Sequence, residues 1–379
     1  MTRRNVDIRQ TRTRLEVSNG QTILEAALAA GISYPHGCRS GRCGSCKSRL
    51  IEGEVQLLQH SRFALTEEEK SDGLILACCA LPQTDVAVAW LVSDEKAVEA
   101  PRRLDAVVIG LYDLTHDIKL IRIAPADGSS LPFTAGQYAQ IRFTGTPVRS
   151  YSMANRVGEG SLEFHVRRVA GGITSEHIHG ALKSGDKVEL EFPLGSSYLR
   201  QNHSGPMLCI AGGSGLAPIK SIVETALAHG MKQPIHVYFG ARSECDLYLV
   251  EHFQSLAEQY ANLTFVVVLS EAEATQYRCG FVTKAVADDL MDLDGWKAYV
   301  AGPPGMVDAA IQLALARGLR GEDMHADVFS RPMTAPTKHQ PSELDQGSIL
   351  RECEGREFIC AIDSTVTRSQ PLRNYSRIP

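Results

Sequence analysis

Hydrophobic and polar positions change their spacing along the chain and divide it into segments. Between residues 104 and 203, five short runs rich in Val, Ile, Leu and Phe are separated by Gly, Pro, Asp and Ser, without a long helical pattern. Such a series predicts an antiparallel barrel or sandwich. Between residues 204 and 330, five strand-like runs alternate with four helical patterns. This alternation predicts a parallel sheet with helices on both faces, which binds ligands at the carboxyl ends of its strands.

The N-terminal segment has a third pattern. Thr22 and Glu25 have the spacing of a capping box at the start of a short helix, and Gly31 can end its last turn. A cysteine-rich loop follows, and the apolar run at 73–82 predicts one buried strand. Polar stretches that contain proline predict a linker and a poorly ordered tail. The predicted segments are 1–95, a linker at 96–103, 104–203, 204–330 and a tail at 331–379.

Composition narrows the functional classes. The chain has 379 residues, 44% hydrophobic and 22% charged, which is typical of a globular protein of two or three domains. A net charge of -5 does not favour nucleic-acid binding. No apolar run reaches the roughly 18–20 residues of a membrane span, and the basic N-terminus has no apolar core behind it, so we expect a cytoplasmic protein. Because disulfides are rare in the cytosol, the 10 cysteines indicate metal or redox chemistry.

Three of these cysteines stand close together. Cys38, Cys43 and Cys46 have the spacing C-x4-C-x2-C, and a fourth cysteine follows about thirty residues later, as in plant-type [2Fe–2S] proteins. A structural zinc site is the alternative, but such sites usually contain two C-x2-C pairs. The fourth ligand is ambiguous because Cys78 and Cys79 are adjacent. In a strand, neighbouring side chains point to opposite faces, so only one of the two would point inward, and the spacing does not say which.

The cysteine loop is also basic. No acidic residue occurs between Ala26 and Ile51, whereas the same stretch contains four cations: Arg39, Arg42, Lys47 and Arg49. These residues either compensate the negative charge of a cluster or form a docking face for an acidic partner.

The barrel segment contains a pattern suited to a flavin. In the sequence RSYS, Arg149 could bind the flavin phosphate, Tyr151 could cover the ring and Ser152 could hydrogen-bond to N5. The sequence GGITS then opens a helix, whose first residues could hold a pyrophosphate. We expect this contact from Gly171, Gly172 and Ser175.

Glycine-rich turns follow successive strands of the parallel segment. The first, AGGSGLAP, joins a strand to a helix and lacks the G-x-G-x-x-G pattern of Rossmann dehydrogenases. The second turn, in the sequence FGARSECDLY, follows the next strand, where a nucleotide ribose would lie. The third turn is AGPPGM. Each turn alone could be structural, but the three in this order favour a nucleotide site. Its candidate residues are Gly212, Gly213, Gly215, Pro218, Arg242, Gly302, Pro303 and Met306.

Together these motifs resemble the ferredoxin–NADP reductase superfamily. Residues 1–329 are similar to the reductase components of bacterial Rieske-type aromatic-ring dioxygenases, such as the naphthalene and terephthalate dioxygenase reductases. The resemblance implies a β-grasp ferredoxin domain, an antiparallel β-barrel flavin domain and a doubly wound parallel-sheet nicotinamide domain. It implies that Cys78 is the fourth cluster ligand and that Phe329 covers the flavin ring. The resemblance also implies that Val166 and Arg167 are cofactor-binding residues.

The resemblance implies an electron-transfer role in aromatic hydrocarbon catabolism. We expect electrons to pass from NADH through FAD and a [2Fe–2S] cluster to a Rieske ferredoxin or the oxygenase, with Tyr151 and Ser152 as the catalytic residues. The alternative is the reductase of a di-iron multicomponent monooxygenase. A lone electron carrier would need only residues 1–95, and a stand-alone flavin reductase would need no cluster. We expect a monomer that binds neither nucleic acid nor membranes.

Two features depart from the family pattern. The family usually has Cys-Gly where this chain has Ala301 and Gly302, so hydride transfer is expected to be slower here. The family chain also tends to end near Phe329. Near the expected ribose, Arg242 stands in a segment with two acidic residues, which favours NADH, with NADPH as an alternative.

Overall fold

The computed structural model describes residues 3–37, 39–62, 64–91, 99, 101–272 and 275–329. The predicted ligand Cys38, the predicted tail at 331–379 and part of the predicted linker lie outside the described residues. Within the described residues, no helix combines the length and the apolar character needed to cross a membrane.

In its described residues, the N-terminal domain contains a five-stranded mixed sheet and two short helices. Strand β1 pairs with β2 in antiparallel and with β7 in parallel orientation, and the sheet order is β2-β1-β7-β3-β5. Strands β4 and β6 form a separate antiparallel pair. The elements are β1 (Arg4–Ile8), β2 (Thr13–Val17), α1 (Ile23–Ala29), β3 (Lys47–Glu52), β4 (Val55–Leu57), α2 (Glu67–Ser71), β5 (Leu74–Leu76), β6 (Ala80–Pro82) and β7 (Val86–Trp90).

Two local predictions for this domain have different outcomes. The capping box is present, because the Thr22 side chain accepts from the backbone N–H of Glu25 and the Glu25 side chain accepts from that of Thr22. The single strand expected at 73–82 is wrong. That run forms β5 and β6 in two different sheets, with Cys78 and Cys79 in the turn between them. The apolar residues are buried as expected, but burial alone does not distinguish one strand from two.

The second domain is an antiparallel barrel that is almost closed. Its six strands have the order β11-β10-β13-β8-β9-β12, and an isolated bridge between Met153 and Phe164 links the two edges. Apolar side chains from alternate positions fill its interior. The elements are β8 (Arg102–Asp113), β9 (Ile118–Pro125), β10 (Tyr138–Phe143), β11 (Arg149–Ser152), β12 (Leu162–Arg167), α3 (Ile173–Gly180) and β13 (Lys187–Leu194).

The third domain is the expected parallel sheet, with strand order β17-β16-β15-β14-β18-β19. Its elements are β14 (Met207–Gly212), α4 (Leu216–Ala228), β15 (Ile235–Ala241), α5 (Val250–Gln259), β16 (Leu263–Leu269), β17 (Arg278–Cys279), α6 (Val282–Asp289), β18 (Lys297–Gly302), α7 (Pro304–Ala316) and β19 (Met324–Val328). Along β14, Cys209 lies in the core under α4 and Ile210 in the core under α7. Strand β14 is therefore covered on both faces, and the order reverses beside it, which opens a crevice at its carboxyl end.

Candidate functional site

The cysteine loop and the β5–β6 turn bring thiols together. The Sγ atoms of Cys46 and Cys78 are 3.2 Å apart, and both residues are buried. The hydrogen bond between them raises the pKa of Cys46 and lowers the pKa of Cys78 to about 4. A Cβ on Gly37 would lie only 3.1 Å from the Sγ of Cys43, so the loop backbone closely approaches that sulfur. Close, buried thiols under a glycine-rich backbone fit the thiolate ligands of an iron–sulfur cluster.

The expectation that only one of Cys78 and Cys79 points inward is wrong. Both residues are buried, and their Sγ atoms lie 3.6 Å apart. The alternation rule does not apply because these residues form a turn, closed by the hydrogen bond from Cys79 N–H to the Leu76 carbonyl. Cys79 packs behind Gly41, where a Cβ would lie 2.6 Å from its sulfur. Cys78 lies beside the predicted ligand Cys46, with 3.2 Å between their sulfur atoms.

The basic residues of the cysteine loop have partners within the chain. Lys47 Nζ lies 2.6 Å from Glu69 Oε1, and the Arg49 guanidinium donates to a backbone carbonyl 2.8 Å away. Arg42 Nη1 lies 3.8 Å from Asp308 Oδ2 at the start of α7. The last contact crosses from the N-terminal domain to the parallel-sheet domain.

The predicted flavin motif forms β11 at the edge of the barrel. The Tyr151 ring packs against the barrel core, and burial raises its pKa. Helix α3 begins directly after Gly172, as predicted. The Ser175 hydroxyl accepts from the Val169 N–H at 3.0 Å and lies 3.1 Å from the Gly172 carbonyl, so it shapes the turn before the helix. Because the Val166 side chain is fully buried in the barrel, only its backbone can face a cofactor.

Sequence reasoning missed one candidate residue near this motif. The Ser152 hydroxyl donates to Asp327 Oδ2 at 2.6 Å, although the two residues are 175 positions apart. Asp327 lies on β19, two residues before Phe329, whose N–H donates to the Gly302 carbonyl at 2.9 Å. No spacing rule joins these residues. They meet because β19 pairs with β18 at the edge of the sheet that faces the barrel motif.

The carboxyl ends of the parallel strands surround a solvent-open cavity of about 200 Å³. Gly215 packs tightly beside it, since a Cβ there would lie 2.1 Å from the Ala301 carbonyl oxygen. The predicted residues that line the cavity are Arg167, Gly212, Gly213, Arg242, Pro303 and Met306.

A buried carboxylate joins two of the arginines at this cavity. Asp246 Oδ1 lies 3.3 Å from Arg242 Nη2 and 3.6 Å from Arg167 Nη2. Burial alone would raise the pKa of Asp246, but hydrogen bonds from the Ser243 backbone and from Arg242 lower it. Arg167 comes from β12 of the barrel, so the cavity includes a side chain from each of two domains.

The chain matches three family descriptions. These are the 2Fe-2S iron-sulfur cluster binding domain over residues 6–83, the oxidoreductase FAD-binding domain over 105–198 and the oxidoreductase NAD-binding domain over 209–312.

Whole-chain comparisons agree with these matches. The chain is 39% identical over 316 residues to the ferredoxin–NAD(P)(+) reductase component of the naphthalene 1,2-dioxygenase/salicylate 5-hydroxylase systems of Ralstonia sp, covering 83% of this chain and 95% of the relative. It is 37% identical over 335 residues to the phenol 2-monooxygenase reductase component DmpP of a Pseudomonas species, covering 86% and 94%. The solved Amycolatopsis cytochrome P450 reductase GcoB is similar with a TM-score of 0.69 and 35% identity, covering 86% of this chain and 98% of that structure.

Proposed function

The chain belongs to the family of ferredoxin–NAD(P)+ reductase components of oxygenase systems, and we propose that it passes electrons from NADH to a Rieske ferredoxin or to the oxygenase of an aromatic-ring dioxygenase. It is an NAD(P)H-dependent flavin and iron–sulfur oxidoreductase, and the domain matches confirm the expected [2Fe–2S] cluster, FAD and nicotinamide nucleotide. The matches and the similar solved structure also confirm the expected fold class.

The observation that carries the proposal is the meeting of three motifs distant in the sequence. The Ser152–Asp327 hydrogen bond of 2.6 Å joins the flavin motif to the end of the parallel sheet. The Arg42–Asp308 contact joins the cysteine loop to α7, which begins beside the nucleotide cavity. The Ser196 hydroxyl donates to the His36 carbonyl at 3.3 Å and joins the same loop to the barrel. These contacts support one continuous electron path through the three domains.

Each domain supplies residues with a distinct task. A bound flavin accepts the two electrons of a hydride together and releases them singly, whereas a [2Fe–2S] cluster takes one electron at a time. Arg149 and the first turn of α3 would hold the flavin phosphates, and Tyr151 would cover the ring. Asp327 orients the Ser152 hydroxyl, and Phe329 would exclude water from the same face. Residues Cys38, Cys43, Cys46 and Cys78 would hold the cluster.

The neighbourhood of Arg242 favours NADH. A 2′-phosphate usually requires cationic contacts, but the Arg242 guanidinium already pairs with the buried Asp246. The charge available to an additional phosphate is therefore reduced. We expect kcat/KM to be higher for NADH than for NADPH, and a measurement of both values tests this preference. Equal values would contradict it.

The exit of electrons is expected at the N-terminal domain. Arg39, Arg49 and Arg62 have exposed side chains on this domain, and the Arg49 guanidinium also donates to a backbone carbonyl. The exposed arginines favour an acidic docking partner, whose reduction should slow as ionic strength rises. A rate that does not depend on salt would instead support compensation of the cluster's own charge.

A visible spectrum of the purified chain tests the proposed function directly. Flavin and iron–sulfur bands should both be present, and both should bleach under anaerobic NADH. A preparation that lacks either set of bands, or one in which NADH and NADPH bleach neither, would overturn the proposal. Adding a purified Rieske ferredoxin should then restore the oxidised spectrum with stoichiometric reduction of the acceptor.

A second function is favoured by one comparison. The relative named as a phenol 2-monooxygenase reductase component is almost as similar as the dioxygenase relative, at 37% against 39% identity. Reductase activity toward a monooxygenase hydroxylase is therefore the alternative. Parallel rate measurements with a Rieske ferredoxin, a dioxygenase and a di-iron hydroxylase as acceptors separate the two functions.

A further inference from the structure

Strand β12 of the barrel presents different side chains to two domains. Leu162, Phe164 and Val166 alternate inward and belong to the barrel core. The intervening residues Glu163, His165 and Arg167 face the parallel-sheet domain instead. In a surface strand this polar face would contact water, but the Glu163 and His165 side chains are only 8% and 0% exposed. The polar face of β12 is therefore part of a domain interface.

Each of the three polar residues contacts a different part of the parallel-sheet domain. Glu163 Oε1 lies 3.4 Å from Lys220 Nζ on α4. Arg167 Nη2 lies 3.6 Å from Asp246 Oδ1 in the loop after β15. Between them, His165 Nδ1 lies 3.2 Å from the hydroxyl of Tyr248. The three contacts are spaced at every second residue, as the pleat of a strand requires.

The middle contact continues to the nucleotide cavity. The Tyr248 hydroxyl donates to the Gly213 carbonyl at 3.2 Å, and Gly213 lines the cavity. Since a carbonyl can only accept, the tyrosine proton is used for this bond, and the tyrosine oxygen accepts from His165 Nδ1 in the tautomer that carries its proton there. The result is a chain of two hydrogen bonds from a barrel strand to the glycine loop.

The glycine loop at Gly213 is also approached closely by the Arg167 side chain. Gly213 has a φ of 55°, and a Cβ there would lie 2.8 Å from Arg167 Nη1. The loop residue thus lies between the Arg167 guanidinium and the bond from Tyr248. Tyr248 and His165 are both buried, so water cannot easily replace either hydrogen bond.

We propose that His165 and Tyr248 are positioning residues for the nicotinamide nucleotide, because their hydrogen-bond chain fixes the Gly213 carbonyl relative to the flavin-binding barrel. This inference rests on the proposed function, since it assigns the cavity to NAD(P)H. Neither residue needs to contact the nucleotide. They act through the glycine loop. Its backbone must keep one conformation for the nucleotide to bind in the position that hydride transfer to the flavin requires.

Tyr248→Phe tests this with the loss of a single oxygen atom. The holoprotein variant is titrated anaerobically with NAD+, and its reduction by NADH is followed by stopped flow. We expect the Kd for NAD+ to rise roughly three- to tenfold, the effect of one neutral hydrogen bond. The FAD content and the iron–sulfur spectrum should remain those of the wild type, and reduction by dithionite should be unchanged.

Tyr238→Phe is the matched control. Tyr238 is also buried in the parallel-sheet domain, but its hydroxyl donates to Asp289 at 3.0 Å, away from the barrel. This variant should lose stability without a change in Kd. His165→Leu should reproduce the effect of Tyr248→Phe, His165→Gln should retain a donor and recover part of the affinity, and the double variant should be no weaker than either single one.

The outcomes separate this inference from the proposed function. If wild-type flavin is reduced by NADH and Tyr248→Phe binds NAD+ equally well, the inference is overturned and the function stands. If neither NADH nor NADPH reduces the wild-type flavin, both are overturned. Should Tyr248→Phe lose FAD, His165→Leu provides the decisive measurement, and an unchanged Kd in that variant overturns the inference.

Discussion

The hydrogen bond between Ser152 and Asp327 gives the sharpest test of how the flavin and nicotinamide domains work together. We consider Ser152→Ala, which removes one hydroxyl from a residue that is 7% exposed. The bond is short, at 2.6 Å, and its acceptor is a carboxylate, so it is charge-assisted. Its loss removes a hydrogen bond that joins the proposed flavin strand to the last strand of the parallel sheet.

The size of the effect follows from the type of bond. A hydrogen bond to a charged group contributes about 1.5–3 kcal/mol. If the hydroxyl supports the transition state of hydride transfer, this energy corresponds to a rate about 10- to 150-fold lower, at about 1.36 kcal/mol per factor of ten. The effect should appear in the limiting rate of flavin reduction by NADH, with little change in KM.

The assay is anaerobic stopped flow at flavin wavelengths with saturating NADH. Ser221→Ala is a suitable control because the Ser221 hydroxyl is fully buried and donates to the Asn155 carbonyl at 2.7 Å, across the same domain boundary. This control should cost about 1 kcal/mol of unfolding free energy and leave the limiting rate unchanged. A Ser152→Ala protein that retains FAD and reacts within twofold of wild type would refute the reasoning.

Three further predictions concern the cluster and the nucleotide site. Cys78→Ser should abolish the iron–sulfur absorbance while Cys79→Ser retains it, and the reverse result in metal analysis and visible spectra would assign the ligand to Cys79. Asp308→Asn removes the charge opposite Arg42. It should slow the reduction of the cluster that follows flavin reduction, and it should make the rate of that step less dependent on salt. An unchanged rate would show that this ion pair does not hold the domains together. Ala301→Cys should raise the rate of flavin reduction in stopped flow, and an equal rate would show that the missing thiol does not explain slow hydride transfer.

The fold was largely predictable because its signals are local. The capping box of Thr22 and Glu25, the alternation of strands and helices after residue 204 and the C-x4-C-x2-C spacing each depend on neighbouring residues. Glycine turns at strand ends likewise marked the cavity that the structure places there. In these cases a few adjacent side chains determine the backbone, and the sequence displays them directly.

The apolar run at 73–82 shows where local signals stop. The prediction that this run is buried was correct. Whether it forms one strand or two depends on which other strands pair with it. The turn between β5 and β6 then decides the directions of the Cys78 and Cys79 side chains. A periodic pattern predicts how much of a segment is buried, but it does not predict which strands pair with that segment. The same limit applies to β12, whose polar face was visible in the sequence while its burial against a second domain was not.

The sequence by itself determined the cofactor chemistry of this protein, since cysteine spacing and glycine turns are properties of short stretches. Only the tertiary structure decided how the sites communicate. Asp327 reaches Ser152 across 175 residues, and Tyr248 links His165 to Gly213 through hydrogen bonds between separate domains. Such contacts require the chain to return to the same place after closing long loops, and no local pattern records where it returns.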